Sequence, residues 1–299
     1  MFASCSLRVY VGMGSTNALR LGLSIGAALL SGAAVASAAS AVTPSTNWAG
    51  YLARPSAAVG SRFSSVSGSW TVPSATCEPG RESYSAAWVG LGGAGENARA
   101  LEQIGTDADC GRSGRAAYSG WYELIPAGSV NLAIAVHPGD HMSASVTVFV
   151  HGVTLRLRDL SSGARFSRTV HVSRVDVSSA EWIVEAPSIC LATKACGTLA
   201  LTNFSTLTFS SATAIAGAQT GPIADRNWSA TALELRQAPA GESGPGSDRR
   251  PGEMSALITA APLGLSPSSG AFSVSWSEQQ VQSQQPNAPT LPGFRGSSG

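Results

Sequence analysis

The chain alternates. Val153, Leu155 and Leu157 interleave with Thr154, Arg156 and Arg158, the two-residue period of a half-buried strand. Similar apolar or alternating runs at residues 130–136, 145–150, 165–172, 199–201, 207–211 and 230–235 predict further strands. His137-Pro138-Gly139-Asp140, His151-Gly152 and Ser161-Ser162-Gly163 supply turns between the first four runs. Residues 271–276 read as the final strand. Beyond the N-terminal segment no window shows a helical stripe, so the pattern predicts an all-β fold, an antiparallel β-sandwich of two packed, curved sheets. Residues 238–252 carry Pro, Gly, Ser, Asp and Arg without apolar periodicity and read as an exposed loop between late strands. Residues 277–299, rich in Gln, Pro, Ser and Gly, read as a disordered tail. The folded domain is therefore expected over 39–276.

At the N-terminus, Arg8 and Arg20 precede an apolar stretch at 21–35, followed by Ala36-Ser37-Ala38. That order reads as a secretory signal, residues 1–38, cut after Ala38. The stretch is about 15 residues long, short for a bilayer span of about 20. The expectation is an exported protein without a membrane segment once the signal is removed. Cleavage discards Cys5 and leaves Cys77, Cys110, Cys190 and Cys196, an even set that reads as two disulfides in an exported chain. Of the three pairings, Cys77–Cys110 and Cys190–Cys196 are favoured. A zinc site is the competing account, but no C-x-x-C pair occurs and no histidine lies near these cysteines in sequence.

Composition narrows the function. Of 299 residues, 12% are charged, and 19 basic against 18 acidic residues leave a formal charge of +1 with no basic stripe, which argues against nucleic acid as a partner. G-x-S-x-G and H-E-x-x-H are absent, as is a glycine loop for phosphate. His137, His141, His151 and His171 fall in polar turns or at strand ends, where surface roles are the simpler account. Neither a metal nor an organic cofactor is implied, and a monomer is expected.

The sparse carboxylates are more informative. Glu181-Trp182-Ile183-Val184-Glu185, as a strand, puts both glutamates on one face roughly 13 Å apart, at about 3.3 Å per residue. A retaining glycosidase needs its pair about 5–5.5 Å apart, and the inverting range is exceeded too. On spacing alone the simplest account is an edge strand with two solvated acids.

Six segments, in order, change that weighting. They are Asn47-Trp48-Ala49-Gly50-Tyr51, Ser69-Trp70-Thr71-Val72-Pro73, Ala87-Trp88-Val89-Gly90-Leu91-Gly92-Gly93, Glu102-Gln103-Ile104-Gly105-Thr106-Asp107, Tyr118-Ser119-Gly120-Trp121-Tyr122-Glu123 and Ala180-Glu181-Trp182-Ile183-Val184-Glu185. Together they resemble the glutamic peptidases of family G1, the eqolisins, over about 47–276. The resemblance implies two antiparallel sheets packed face to face, and a pepstatin-insensitive endopeptidase acting on polypeptides, usually in acid. It implies Gln103 and Glu185 as the catalytic pair, with Trp48, Asp107, Trp121 and Glu123 lining or bracing the cleft. Gly92 departs from the resemblance, standing where many relatives carry Asp, and Glu102 replaces an apolar residue beside Gln103, with its side chain expected to face away from it.

The implied chemistry is coherent. Peptide hydrolysis needs an activated water, a stabilised oxyanion and a proton for the departing amine. One carboxyl, Glu185, can take the proton from water and return it to nitrogen. An amide such as Gln103 can orient that water through its C=O and donate N–H to the oxyanion, whereas a second carboxylate would trap a proton between the two. The alternative is a non-catalytic sandwich that binds carbohydrate or polypeptide in the same groove through exposed aromatics at Trp48, Trp121 and Tyr122. Trp70, Trp182 and Trp276 are expected in the core.

Overall fold

The computed structural model describes residues 42–56, 62–95, 98–190, 196–237 and 254–282. Among these, all regular structure is strand. In chain order the strands are β1 (Thr43–Ser45), β2 (Trp48–Pro55), β3 (Phe63–Thr71), β4 (Ala86–Gly92), β5 (Leu101–Cys110) and β6 (Ala116–Ile125). Then follow β7 (Val130–Asn131), β8 (His141–Phe149), β9 (Gly152–Asp159), β10 (Arg165–His171), β11 (Ala180–Glu185) and β12 (Ser188–Cys190). The last six are β13 (Cys196–Thr198), β14 (Thr206–Ala216), β15 (Gln219–Pro222), β16 (Trp228–Gln237), β17 (Met254–Leu263) and β18 (Phe272–Gln282).

One hydrogen-bonded ladder runs β10-β9-β8-β3-β14-β18-β17-β16-β2-β11-β4-β5-β6-β7, with β1 beside β16 and β15 beside β14, while β12 and β13 form a separate hairpin. Every pairing is antiparallel except that of β1 with β16. The ladder folds over on itself, so that β4 and β5 pack face to face on β8, and β11 packs on β3. This makes the two layers of a sandwich, joined through β17 and β18 in place of a clean break between separate sheets.

Alternation explains the layers. Val153, Leu155 and Leu157 of β9 and Met142, Ala144 and Val146 of β8 point inward, where they meet Val89, Ile104, Trp182 and Val184 in the main core. The Trp182 indole lies over Gly68, where a Cβ would come within 3.0 Å of its ring, and its N–H donates to the Ser67 carbonyl at 2.8 Å. β4 and β11 are buried along their whole length. They read as continuous runs because a second apolar cluster, with Trp48, Leu52, Trp88, Leu101, Trp121 and Ile183, covers their other face.

Several expectations change. In the run 130–136 only Val130 and Asn131 pair, while Ile134 and Val136 drop into the core as irregular chain. Residues 199–201 contribute one isolated bridge, Tyr84 to Leu201, and no strand. The last strand continues through residues 277–282, paired with 254–259, so the segment expected as a tail begins inside the sheet. Polar Ser, Glu and Gln hid that strand because ladder bonds need no apolar side chain. The signal segment 1–38, the loop 238–252 and the remainder of the tail lie outside the described residues. The four histidines are exposed, as expected.

Candidate active site

Three rows of side chains cross β2, β11, β4, β5 and β6 on the face opposite the main core. In the first, Glu185 pairs with Trp48 and Ala86, Ala86 with Asp107, and Asp107 with Ser119. The second holds Gly50, Ile183, Trp88, Gly105 and Trp121. The third holds Leu52, Glu181, Gly90, Gln103 and Glu123. Rows two residues apart project to the same side of a sheet. Gln103 and Glu185 therefore share a face, two strands and four positions apart. Two glycines make room for Trp88: a Cβ on Gly105 would stand 2.6 Å from the Trp88 Cβ, and one on Gly90 would stand 2.9 Å from its indole ring.

Glu185 is held at both oxygens. Asn47 Nδ2 donates to Oε1 at 3.3 Å and Trp88 Nε1 to Oε2 at 2.9 Å, and the Trp48 ring meets Trp88 edge-on at 5.0 Å. The carboxylate lines two adjoining cavities. The larger, about 630 Å³, is shared with Asn47, Trp48, Leu101 and Ile125. The second, about 410 Å³, is shared with Asp107, Asp109, Trp121 and Glu123. The structure thus brings Trp48, Asp107, Trp121, Glu123 and Glu185 to one cleft. Gln103 lies deeper, fully buried, and lines neither cavity. Its Nε2 donates to Glu123 Oε2 at 2.7 Å, while its Oε1 accepts from no described residue.

The cleft is rich in carboxyls whose protons are held tightly. Burial pushes Asp107 well above its usual range, the neighbouring Asp109 adds repulsion, and Glu185 adds more. The Ser119 hydroxyl, donating to Asp107 at 3.0 Å, opposes this. Burial raises Asp109 to about 6 against the Ser85 N–H that it accepts. Both therefore hold their protons to higher pH than an exposed aspartate does.

A second acidic group gathers around the third row. Glu102 faces away from Gln103, as expected, and burial raises it to about 8 although it accepts the Asp176 backbone N–H. Burial also drives Glu181 upward, with Asp176 and Glu102 adding repulsion and Arg54 relieving some of it. Asp176 explains Gly92. A Cβ on Gly92 would lie 2.5 Å from the Asp176 Cβ, and Asp176 Oδ2 accepts the Gly93 N–H at 3.2 Å. The space beside Gly92 is filled by a carboxylate delivered from another segment.

The edge-strand account of Glu181 and Glu185 fails: β11 is central, between β2 and β4, and both glutamates are buried. The exposed aromatic platform expected of a sugar-binding groove is also missing. Trp48 and Trp121 are buried, and Tyr122 points into the core, stacked on Phe166. Trp70 and Trp182 are core residues, and Trp276 is half-buried against the core. Cys77 and Cys110 form a disulfide. The backbones of Cys190 and Cys196 pair directly across β12 and β13, while their side chains lie outside the described residues. Asn47 and Trp88 stood inside quoted motifs without an assigned role; only their contacts with Glu185 reveal one. Asp176 carried no signal at all.

Known proteins place these features. A search of curated sequences returned no match. Among solved structures, scytalidoglutamic peptidase with a peptide-based transition-state analogue superposes with a TM-score of 0.57 at 22% identity, covering 78% of this chain and 98% of that one. SCP-B, an eqolisin in complex with the tripeptide Ala-Ile-His, gives 0.54 at 21% identity over the same shares. At those identities the likeness establishes the β-sandwich fold. The model of the Peptidase A4 family matches residues 46–238, from the strand carrying Trp48 through the one that ends at Gln237. With that match spanning both Gln103 and Glu185, the chain belongs to the Peptidase A4 family and is a glutamic peptidase.

Proposed function

We propose that the protein is an exported endopeptidase that hydrolyses polypeptides in acid, with Glu185 as general base and then general acid. The observation that carries this reading is the Glu185 carboxylate, fixed at both oxygens by Asn47 and Trp88 where the two cavities of the cleft meet. A substrate crossing from one cavity to the other passes over this carboxylate. Glu185 removes a proton from water as the oxygen attacks the scissile carbonyl, then delivers that proton to the departing amine. Bond making and breaking balance without a covalent intermediate. Gln103, tethered by Glu123, supplies a neutral amide from below, whose carbonyl retains capacity to accept from a water. Protonated Asp107 and Asp109 keep the acidic cleft from accumulating charge in mild acid. The basic-then-apolar order of residues 8–38, ending in Ala36-Ser37-Ala38, supports the export part of this reading.

Cleavage of denatured casein or haemoglobin, followed across pH 2–7 with pepstatin present, tests the reading. Turnover below pH 6 is expected, and silence throughout that range would overturn it. Glu185→Gln and Gln103→Ala should each lose a factor of roughly 10³ or more while remaining folded at pH 4. A near-normal rate in either variant would remove that residue from the catalytic pair.

A further inference from the structure

The two arms of the cleft differ in charge. The second cavity is lined by Asp107, Asp109, Glu123 and Glu185 and, among the described residues, by no basic one. Among the described residues, Glu185 is the one carboxylate lining the larger cavity, with Arg99 and Arg174 both lining it. Each arginine is exposed, and neither forms an ion pair with any described residue. Beneath them Trp48, Leu101, Ile125 and Pro126 supply an apolar floor. An apolar trough under two guanidinium groups that have no ion-pair partner among the described residues suits a side chain with a short aliphatic stem and an anionic end.

The segments that carry these arginines are braced by the fold. Arg99 follows Gly93 and Ala94, whose backbone groups bond Asp176 Oδ2 at 3.2 Å and the Arg54 guanidinium at 3.0 Å. Arg174 lies two residues before Asp176 itself. The half-buried Asp176 carboxylate, filling the space beside Gly92, thus ties the Gly93 backbone to the segment that carries Arg174.

We infer that this arm of the cleft selects polypeptide substrates bearing Asp or Glu on one side of the scissile bond, through Arg174 and Arg99. The inference rests on the peptidase reading and names the substrate class of that same site. A guanidinium stays charged at every working pH, whereas a peptide glutamate ionises near 4.3. The preference therefore belongs to mild acid and fades in strong acid.

Quenched peptides that differ only in carrying Glu, Gln or Lys, at each of four positions on either side of the cut, supply the test. At pH 5 one position should favour Glu over Gln in kcat/KM by roughly two- to fivefold, the range of a solvated ion pair, with Lys poorest. The same comparison at pH 3 should show the ratio near unity. Arg174→Ala should reduce it, the Arg99→Ala/Arg174→Ala double variant should abolish it, and Arg174→Glu should turn it toward Lys. Equal kcat/KM for Glu and Gln at every position at pH 5, or a ratio unchanged in the double variant, would overturn the inference while leaving the peptidase reading intact. Failure of the wild-type protein to cut any peptide at any pH would overturn both.

Discussion

At the scale of single residues, the site depends on oriented donors. The Trp88 indole passes beside Gly90, its N–H reaches Glu185 and its ring meets Trp48 edge-on. Trp88→Phe keeps a ring and removes the donor. We expect kcat to fall about tenfold or more, in the manner of a lost charge-assisted bond in a dry site, with KM much less affected. Steady-state kinetics at pH 4 check this, and an unchanged kcat would show that Asn47 alone suffices to aim the carboxylate. Much of this level was legible from the chain. Glu185, Gln103, Trp48, Asp107, Trp121 and Glu123 all lie on the cleft face, because a two-residue period fixes which side each occupies once the strands are placed. The burial of Gln103 beneath the cavities was not legible, since it depends on how indoles from two other strands close over the middle row.

At the scale of elements, the connection into β11 takes over work expected of β4. Gly92 has φ +87°, which glycine tolerates, and any side chain there meets Asp176. Gly92→Asp, which restores the residue that many relatives carry, should lower the melting temperature and the activity together, because two carboxylates then compete for one space. Asp176→Gly in the same molecule should recover a substantial part of the loss. Thermal melts of the two single variants and the double variant form a cycle whose coupling measures the exchange. Additive losses would mean that the two positions do not share the space. Sequence reasoning flagged Gly92 but could not name Asp176, which is 84 positions further along and brought near by the return of the chain into β11. The strands were legible where alternation is strong, as in β9. They were missed where polar residues form the ladder, as at Ser277–Gln282, and misjudged at 130–136, where apolar side chains fill the core without pairing.

At the scale of the whole molecule, buried carboxyls set the pH range of the fold. Glu102 at about 8 and Asp109 at about 6 lie above their ordinary values of 4.5 and 3.8, and Asp107 and Glu181 are raised with them. A raised folded value means that the native state holds protons the unfolded chain has released. Stability is then greatest below about pH 4 and declines as pH climbs through 6 toward 8. Melting temperatures recorded from pH 3 to 8 should fall accordingly, and a flat profile would contradict these protonation states. Glu102→Gln should have little effect at pH 4 and stabilise by about 2–4 kcal/mol at pH 8, since the amide can still accept the Asp176 N–H.

The continuous ladder has a consequence for survival among proteases, the protein's own activity included. Proteolytic cleavage needs a chain segment that can leave its hydrogen bonds and enter a cleft. Within this sheet most described strands have both edges occupied; the main ladder ends at β7, two residues long, and at β10, which bears Arg165 and Arg168, and the short side strands β1 and β15 are paired on one edge. Autolysis is thereby steered away from the sandwich, and the shape that recognises loose chains is itself a poor meal for one of its copies.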